Sequence, residues 1–422
     1  MSLTRRHLGQ TAAAAAALTA CATPKSETAT APALAASPFT PRLKVPRLAP
    51  IPVEGRTPAQ VAMLASRPDY NIYKTLAVHP ELYARWSGLG QFVLNGSSLA
   101  PRHREMLILR MGWLCQAEYE WAQHARIATA SNVGMSATDV HRIAEGPRAE
   151  GWTDFERTLL QACDEIRYEA MITQPTWMRL RNQYSDQTAL DALFTASQYQ
   201  LVSMALNSLG VQLDPDLTFR LPTDVEAPRL ASRPRTPPPA SPLIAPVAVD
   251  KLSPADKVLL AERLRPDGTV FNLYATLITH PKLYGPRAQF GSYIQRDSGL
   301  PARIRELCIL RTAQNIACDY EWIHHQEAAK TAGLTDADIT RITQGSEAAG
   351  WSPIDRAVLS AADQLRREAF ISDATWTTLA SAFPPQRLVE IVFTIGGYCM
   401  TGAAIRTLGN QLELQYAGQA HT

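Results

Sequence analysis

The stretch "REMLILRMGWLCQAEYEWAQH", from Arg104 to His124, decides what kind of fold this chain can adopt. Its first twelve residues are apolar on nearly every face of a helix, which is typical of a buried helix. It ends in the motif Tyr-Glu-Trp-x-x-His, in which Glu120 and His124 are four residues apart and share one helix face. The stretch predicts a buried helix followed by a helix that presents an acid and a histidine together.

The chain contains this stretch twice. A second version, "RELCILRTAQNIACDYEWIHH", begins at Arg305 and lies 201 residues after its counterpart. The segment "NIYKTLAVHPELY" at Asn71 returns with the same offset as "NLYATLITHPKLY" at Asn272, and later segments keep an offset of 199. Each copy is about 150 residues long, the size of a domain rather than of a short solenoid repeat. The sequence therefore predicts a tandem duplication of one domain.

Helix signals run through both copies. In "DFERTLLQACDEIRYEAM", Leu159, Cys163 and Ile166 recur at helical spacing with charges on the opposite side. The segments "VGMSATDVHRI" and "AGLTDADITRI" each show a Gly that ends one helix and a Ser or Thr N-cap that begins the next. Alternating β patterns bounded by turns are absent from the sequence. We predict an all-α protein built from two tandem helical domains.

The first 21 residues have the features of a targeting segment. Arg5 and Arg6 precede a short alanine-rich run, as in a twin-arginine export signal, and "LTAC" ends at Cys21, as in a lipoprotein signal. We predict lipidation of Cys21. Because Ala22 rather than Asp follows it, we also predict an exported, periplasmic protein anchored to the outer membrane. An ordinary signal peptide with a Cys nearby is the alternative.

Composition and the repeat set the remaining boundaries. Residues 22–50 and 223–250 are rich in Pro and are predicted to be a flexible tether and a semi-rigid linker, which leaves 51–222 and 251–416 as the two domains. Charged residues make up 19% of the chain and the formal net charge is +2, so the clustered positive charge of a nucleic-acid surface is missing. The sequence contains no run of 18 or more apolar residues, so it does not predict a membrane-spanning helix.

The repeated motif is the candidate site. A carboxyl group held near apolar surface has a raised pKa and an imidazole titrates near neutrality, so the two can form a proton-transfer pair. Two other interpretations stay open: a surface pair on helices anchored by the Tyr and Trp, or a metal pair, for which third and fourth ligands are not evident. The candidate catalytic residues are Glu105, Glu120, His124, Glu306, Cys318, Glu321 and His325.

Both long stretches resemble the carboxymuconolactone decarboxylase-like family, which includes the AhpD alkylhydroperoxidases. The resemblance rests on Arg-Glu, then Ile-Leu-Arg, then Tyr-Glu-Trp-x-x-His, and it covers both copies. It implies an all-helical AhpD-like fold that assembles into homo-oligomers. The decarboxylase branch acts on a lactone acid by proton transfer without metal or organic cofactor. The hydroperoxidase branch uses a Cys-x-x-Cys pair, a His four residues later and a Glu twelve residues earlier.

The family's residues carry over only in part. The His falls on His124 and His325, and the upstream Glu falls on Glu105 and Glu306. The first Cys falls on Ala117 in one copy and Cys318 in the other, whereas the second falls on Glu120 and Glu321. Thiol–disulfide turnover needs two sulfurs that can pair, and a carboxylate cannot replace one. The missing dithiol argues against AhpD-type peroxide reduction.

These observations lead to one leading function and two alternatives. We predict a cofactor-independent lyase or isomerase that acts on a small carboxylated or lactone-like substrate and binds neither metal nor nucleic acid. Its contact with the membrane would be the lipid anchor alone. The alternatives are AhpD-like peroxidase chemistry through Cys318 with an external thiol, and a non-catalytic helical binding module.

Overall fold

The computed structural model describes residues 43–416, and within them the protein is all α-helical, as the sequence predicts, with 18 α-helices and no strand. The first copy contains α1 (Pro58–Leu64), α2 (Asn71–Leu76), α3 (Pro80–Gln91), α4 (Pro101–Leu114), α5 (Glu118–Ala128), α6 (Ala137–Glu145), α7 (Asp154–Glu169), α8 (Gln174–Arg181) and α9 (Asp186–Leu209). The second copy contains α10 (Pro254–Leu260), α11 (Asn272–Leu277), α12 (Pro281–Ser292), α13 (Ala302–Asn315), α14 (Asp319–Thr331), α15 (Asp336–Gln344), α16 (Pro353–Glu368), α17 (Asp373–Ala382) and α18 (Pro385–Leu408). The predicted N-caps at Ser136 and Thr335 are confirmed, because each side chain accepts a hydrogen bond from the backbone N–H three residues later.

The two copies form a pseudo-twofold pair around their longest helices. The helices α9 and α18 pack against each other, and so do α3 and α12. At the α9–α18 crossing Gly396 lies so close to Leu201 that a Cβ atom there would come within 2.7 Å of the leucine Cγ. Buried residues of both copies belong to one continuous apolar core. Each copy therefore covers the apolar faces of the other, as a homodimer partner would.

Buried polar contacts follow the same pseudo-symmetry. Arg167 at the end of α7 donates to the carbonyl oxygen of Arg366 at 2.5 Å, and Arg366 donates in return to the carbonyl oxygen of Arg167. His79 contacts Glu390 at 2.9 Å, and its counterpart His280 contacts Asp191 at 2.8 Å. Because backbone carbonyls at a helix C-terminus lack partners within the helix, the two arginines satisfy groups that would otherwise be buried without hydrogen bonds.

The end of the predicted tether is part of the fold, which corrects its assignment to a flexible segment. The backbone N–H of Arg47 donates to the carbonyl oxygen of Leu209 at 3.0 Å, and its guanidinium donates to the carbonyl oxygen of Ile371 at 2.8 Å. Leu48 is buried. Residues 43–50 thus lie along both copies. The predicted signal segment and residues 22–42 fall outside the described residues.

The Pro-rich linker has no helix or strand between residues 223 and 247 and lies against the second copy. Backbone N–H groups of Ala231, Leu243 and Val247 donate to carbonyl oxygens of that copy at 3.1, 2.8 and 3.0 Å. Ala231 and Ile244 are buried. These contacts hold the linker in one path.

Among the described residues α18 is the one helix that is long and apolar enough to cross a membrane. All of its apolar window is buried by other helices. It packs against α9 and α13, where it supplies the floor of the site described next.

Candidate active site

Two helical hairpins, α4–α5 and α13–α14, position the repeated motif. The turn between α4 and α5 contains Gln116 in a left-handed backbone conformation, with a φ of 51°, and Ala317 has the same φ in the second hairpin. The short turn lays the two helices against each other. As a result, the acid near the start of the first helix meets the histidine in the middle of the second.

In the first copy an imidazole lies between two carboxylates. Glu105 Oε2 is 2.7 Å from His124 Nδ1, and Glu120 Oε1 is 3.0 Å from Nε2. Burial alone would lower the pKa of His124, but the charges of Glu105 and Glu120 outweigh it and raise that pKa to about 9. At neutral pH His124 is therefore an imidazolium held on both sides by carboxylates.

The second copy has the same residues in a looser arrangement. Glu306 Oε2 is 2.8 Å from His325 Nδ1, but Glu321 Oε2 lies 3.5 Å from Nε2, and the hydroxyl of Tyr398 is closer to Nε2 at 3.0 Å. Burial lowers the pKa of His325, whereas the hydrogen bond and charge of Glu306 raise it, and the net change is upward. Burial also raises the pKa of Tyr398, so it remains a hydroxyl. The carboxylates thus favour the protonated form of His325, and its Nε2 is shared between an acid and a hydroxyl.

A cavity of about 100 Å³ opens beside this second histidine. Glu321, His325 and Tyr398 line it together with the aromatic and apolar side chains of Phe271, Leu273, Tyr274, Ile294 and Tyr320. Its other polar lining residues are Arg263, Arg287, Gln295, His324 and Thr401. The cavity places a small ligand against the acid, the imidazole and the hydroxyl at once.

The aromatic residues of the motif point away from the histidine in the first copy, as expected for neighbours on a 3.6-residue helix. Tyr119 donates to Asp214 Oδ2 at 2.5 Å, and Trp121 packs against Trp113 in the core. In the second copy Trp322 is also buried, but Tyr320 additionally lines the cavity. The surface-pair interpretation is wrong, because Glu120 is 3% and His124 6% exposed.

Cys318 does not lie at the rim of the cavity, which corrects its place among the candidate catalytic residues. It is 2% exposed, and it is the N-cap residue of α14 rather than a cavity residue. Burial, followed by the charge of Glu321, raises the pKa of its thiol to about 12. A protonated, buried thiol is a poor nucleophile. The cysteines of residues 43–416 are all buried, and no group of three or more His, Cys, Asp or Glu residues in that range can hold a metal ion.

Sequence reasoning missed the residues that complete the site from outside the hairpin. Tyr398 lies on α18, and the repeat offers a signal for it, because Tyr199 occupies the equivalent position in the first copy with its ring 4.9 Å from that of His124. Arg287 lies on α12 and has no arginine counterpart. In the sequence, Arg287 could have been found only by aligning the two copies and looking for positions at which their residues differ.

Comparison with known proteins assigns the repeated unit. Residues 80–165 and 281–364 match the model of the carboxymuconolactone decarboxylase family. The chain therefore contains two carboxymuconolactone decarboxylase-family regions in tandem. The matched ranges contain both hairpins and all seven candidate residues.

Further similarity is limited. A crystal structure of a protein of unknown function from Agrobacterium tumefaciens, named as a candidate antioxidant defence protein AhpD, is 20% identical and covers 33% of this chain and 95% of its own. The TM-score of that match is 0.30, which is too low to assign an activity. The chain has no significant match among curated proteins.

Proposed function

We propose that this tandem carboxymuconolactone decarboxylase-family protein is a cofactor-independent lyase or isomerase that moves a proton on a small carboxylated or lactone-like substrate. The observation that carries the proposal is the position of His325. It is fixed by Glu306 on one nitrogen and faces Glu321, Tyr398 and the cavity with the other. A charged acid and a carboxylate base on one cavity wall are what enolate chemistry requires.

Each residue has a separate role in this proposal. Glu306 accepts the Nδ1–H of His325, which keeps the ring charged and its orientation fixed, as orienting carboxylates do in other acid–base sites. The Nε2–H and the Tyr398 hydroxyl then donate hydrogen bonds to an oxygen on which negative charge develops. Glu321 supplies the carboxylate that accepts a proton from carbon.

Two reactions balance with these groups. In an isomerisation, Glu321 takes the proton next to the carbonyl carbon, the electron pair moves into an enolate held by His325 and Tyr398, and a proton returns at the other end of the conjugated system. In a decarboxylation, the bond to the carboxylate carbon breaks, carbon dioxide leaves, and the electron pair of that bond forms an enolate held by His325 and Tyr398. His325 then protonates the carbon and regains a proton from water, and the resulting hydroxide combines with carbon dioxide to give bicarbonate.

The alternatives make different demands. Peroxide reduction needs a reactive thiol, and the burial of Cys318, with its pKa raised to about 12, disfavours that chemistry. A non-catalytic binding module would keep the cavity but show no proton exchange. Export, the lipid anchor at Cys21 and assembly into homo-oligomers stay predictions.

The test is hydrogen exchange in D₂O with the full chain. Small lactone acids, carboxymuconolactone among them, are incubated with the protein, and NMR follows loss of C–H signals and the appearance of decarboxylated product. We expect deuterium to enter one carbon of at least one substrate, and Glu321→Gln to slow this by about 10²-fold or more. The control is Glu347→Gln, the same chemical change at a surface acid whose side chain is 85% exposed. An undiminished rate in Glu321→Gln would remove the proposed base.

A further inference from the structure

Arg287 is a buried cation without an anionic partner in the described part of the chain. Its side chain is 5% exposed and lines the cavity, and Nη2 donates to Thr401 Oγ1 at 2.9 Å. Among residues 43–416 it makes no ion pair. By contrast, the buried Arg110 forms one with Asp164 at 2.7 Å. A buried charge is costly unless it is paired, so this guanidinium would gain from an anion in the cavity.

A second cation stands at the same cavity. Arg263 donates to Gln295 Oε1 at 2.8 Å and to Ser292 Oγ at 2.5 Å, and its guanidinium lies 4.8 Å from the centre of the Tyr274 ring. These contacts hold it in place without neutralising its charge. Two positive groups in a small cavity favour an anionic ligand.

The first copy lacks this anion-binding set. At the positions of Arg287, Thr401 and Gln295 it has Trp86, Val202 and Leu94. Trp86 is buried and packs edge-on against Phe393, with ring centroids 5.4 Å apart. The gap that lies beside Trp86 and Val202 is apolar and has a volume of about 10 Å³. The space that holds the cavity in one copy is filled by an indole in the other.

We propose that Arg287, with Thr401 and Arg263, binds a carboxylate of the substrate, and that the second domain alone carries turnover while the first serves as its structural partner. The assignment of the bound anion as a substrate rests on the proposed function, whereas the anion-binding site is inferred from its own geometry. A carboxylate at Arg287 places the rest of a small ligand against His325 and Tyr398, because all three residues line one cavity. Arginine suits this task, since its planar fork pairs with both carboxylate oxygens.

Calorimetric titration of the full chain with cis,cis-muconate, a small dicarboxylate, tests the proposal, and its uncharged dimethyl ester is the ligand control. We expect one muconate to bind per chain, the ester to bind far more weakly, and Arg287→Gln to raise the Kd of muconate by at least about tenfold. Arg296→Gln is the matched protein control, because it removes the same charge from an exposed side chain of the same domain. It should leave the Kd unchanged.

Three results would overturn the proposal: no muconate binding, two equivalent sites per chain, or an unchanged Kd in a folded Arg287→Gln protein. A second variant, His325→Gln, separates this inference from the proposed chemistry. If the chemistry is wrong, His325→Gln and the parent protein both bind muconate through Arg287 and neither exchanges protons. If the anion site is wrong, exchange in the parent protein persists in Arg287→Gln with an unchanged KM.

Discussion

His124 and His325 hold equivalent places in the two domains, yet their surroundings give them different properties. Carboxylates contact His124 at 2.7 and 3.0 Å, so both ring nitrogens are already paired. His325 keeps its close carboxylate, but the second one lies 3.5 Å away and the cavity is adjacent. An imidazolium locked in a closed ion triad stabilises the fold, whereas one that faces a cavity is free to exchange its proton.

The pH dependence of stability tests the structural role of His124. Its pKa is raised to about 9 in the folded state, so its stabilising contribution is complete below the unfolded value of about 6.5 and is lost as pH rises through about 9. We expect His124→Gln to lower the free energy of unfolding by about 3–5 kcal/mol at pH 6, since it removes the cation between two buried carboxylates and leaves Glu105 with Arg104 alone, at 3.0 Å. This deficit should shrink toward pH 10. Urea unfolding followed by circular dichroism measures it, and a deficit that does not vary with pH would contradict the ion triad.

At the level of helices, the local sequence pattern predicted that helices form, but it did not predict which side chains of other helices contact them. The spacing of Glu120 and His124 placed both on one helix face, and the structure brings Glu105 from the preceding helix to the same histidine. The burial of the site and the hydroxyl of Tyr398 come from α18, and Tyr398 lies 73 residues after His325 in the chain. Periodicity within a helix carries no information on that packing. For the same reason Cys318 was named as a candidate catalytic residue, although it is buried beneath α18, close to Gly402.

The contribution of the helix ends where the two domains meet can be tested by mutation. Arg366 donates to the carbonyl oxygens of Arg167 and Tyr168 at the end of α7. We expect Arg366→Leu to lower the free energy of unfolding by about 2–4 kcal/mol, because buried carbonyls lose a charged donor. The neighbouring change Arg367→Leu is the control, since that side chain is 55% exposed, and it should cost about 0.5 kcal/mol or less. Equal losses in chemical unfolding of the two variants would exclude a special role for the crossed arginines.

The whole molecule behaves as a dimer fused into one chain. Its continuous core contains side chains of both copies, and the linker between them is exposed at Pro237 and Pro238. The repeat predicted a tandem duplication, but it did not predict that the two sites would differ. Trp86 has the character of an ordinary core residue, and its importance becomes clear only because its counterpart Arg287 lines a cavity. Fusion allows this asymmetry, since each copy can change independently.

Cleavage of the linker tests the fused-dimer description. A protease site inserted between Pro237 and Pro238 should be cut without separating the halves, because the α9–α18 contact and the shared core do not depend on the linker. Size-exclusion chromatography should then give one peak that contains both fragments. Two separate, stable, folded fragments would show that the domains are independent.

A comparison of His325→Gln with His124→Gln in the D₂O exchange assay, under conditions where both proteins are folded, tests directly whether the second domain carries the proton transfer. The two variants make the same change at equivalent positions of the two domains, so each is the control for the other. If proton transfer takes place at the second-domain cavity, His325→Gln abolishes deuterium incorporation while His124→Gln retains it at close to the parent rate. Equal loss in both variants, or retention in His325→Gln, would contradict the account.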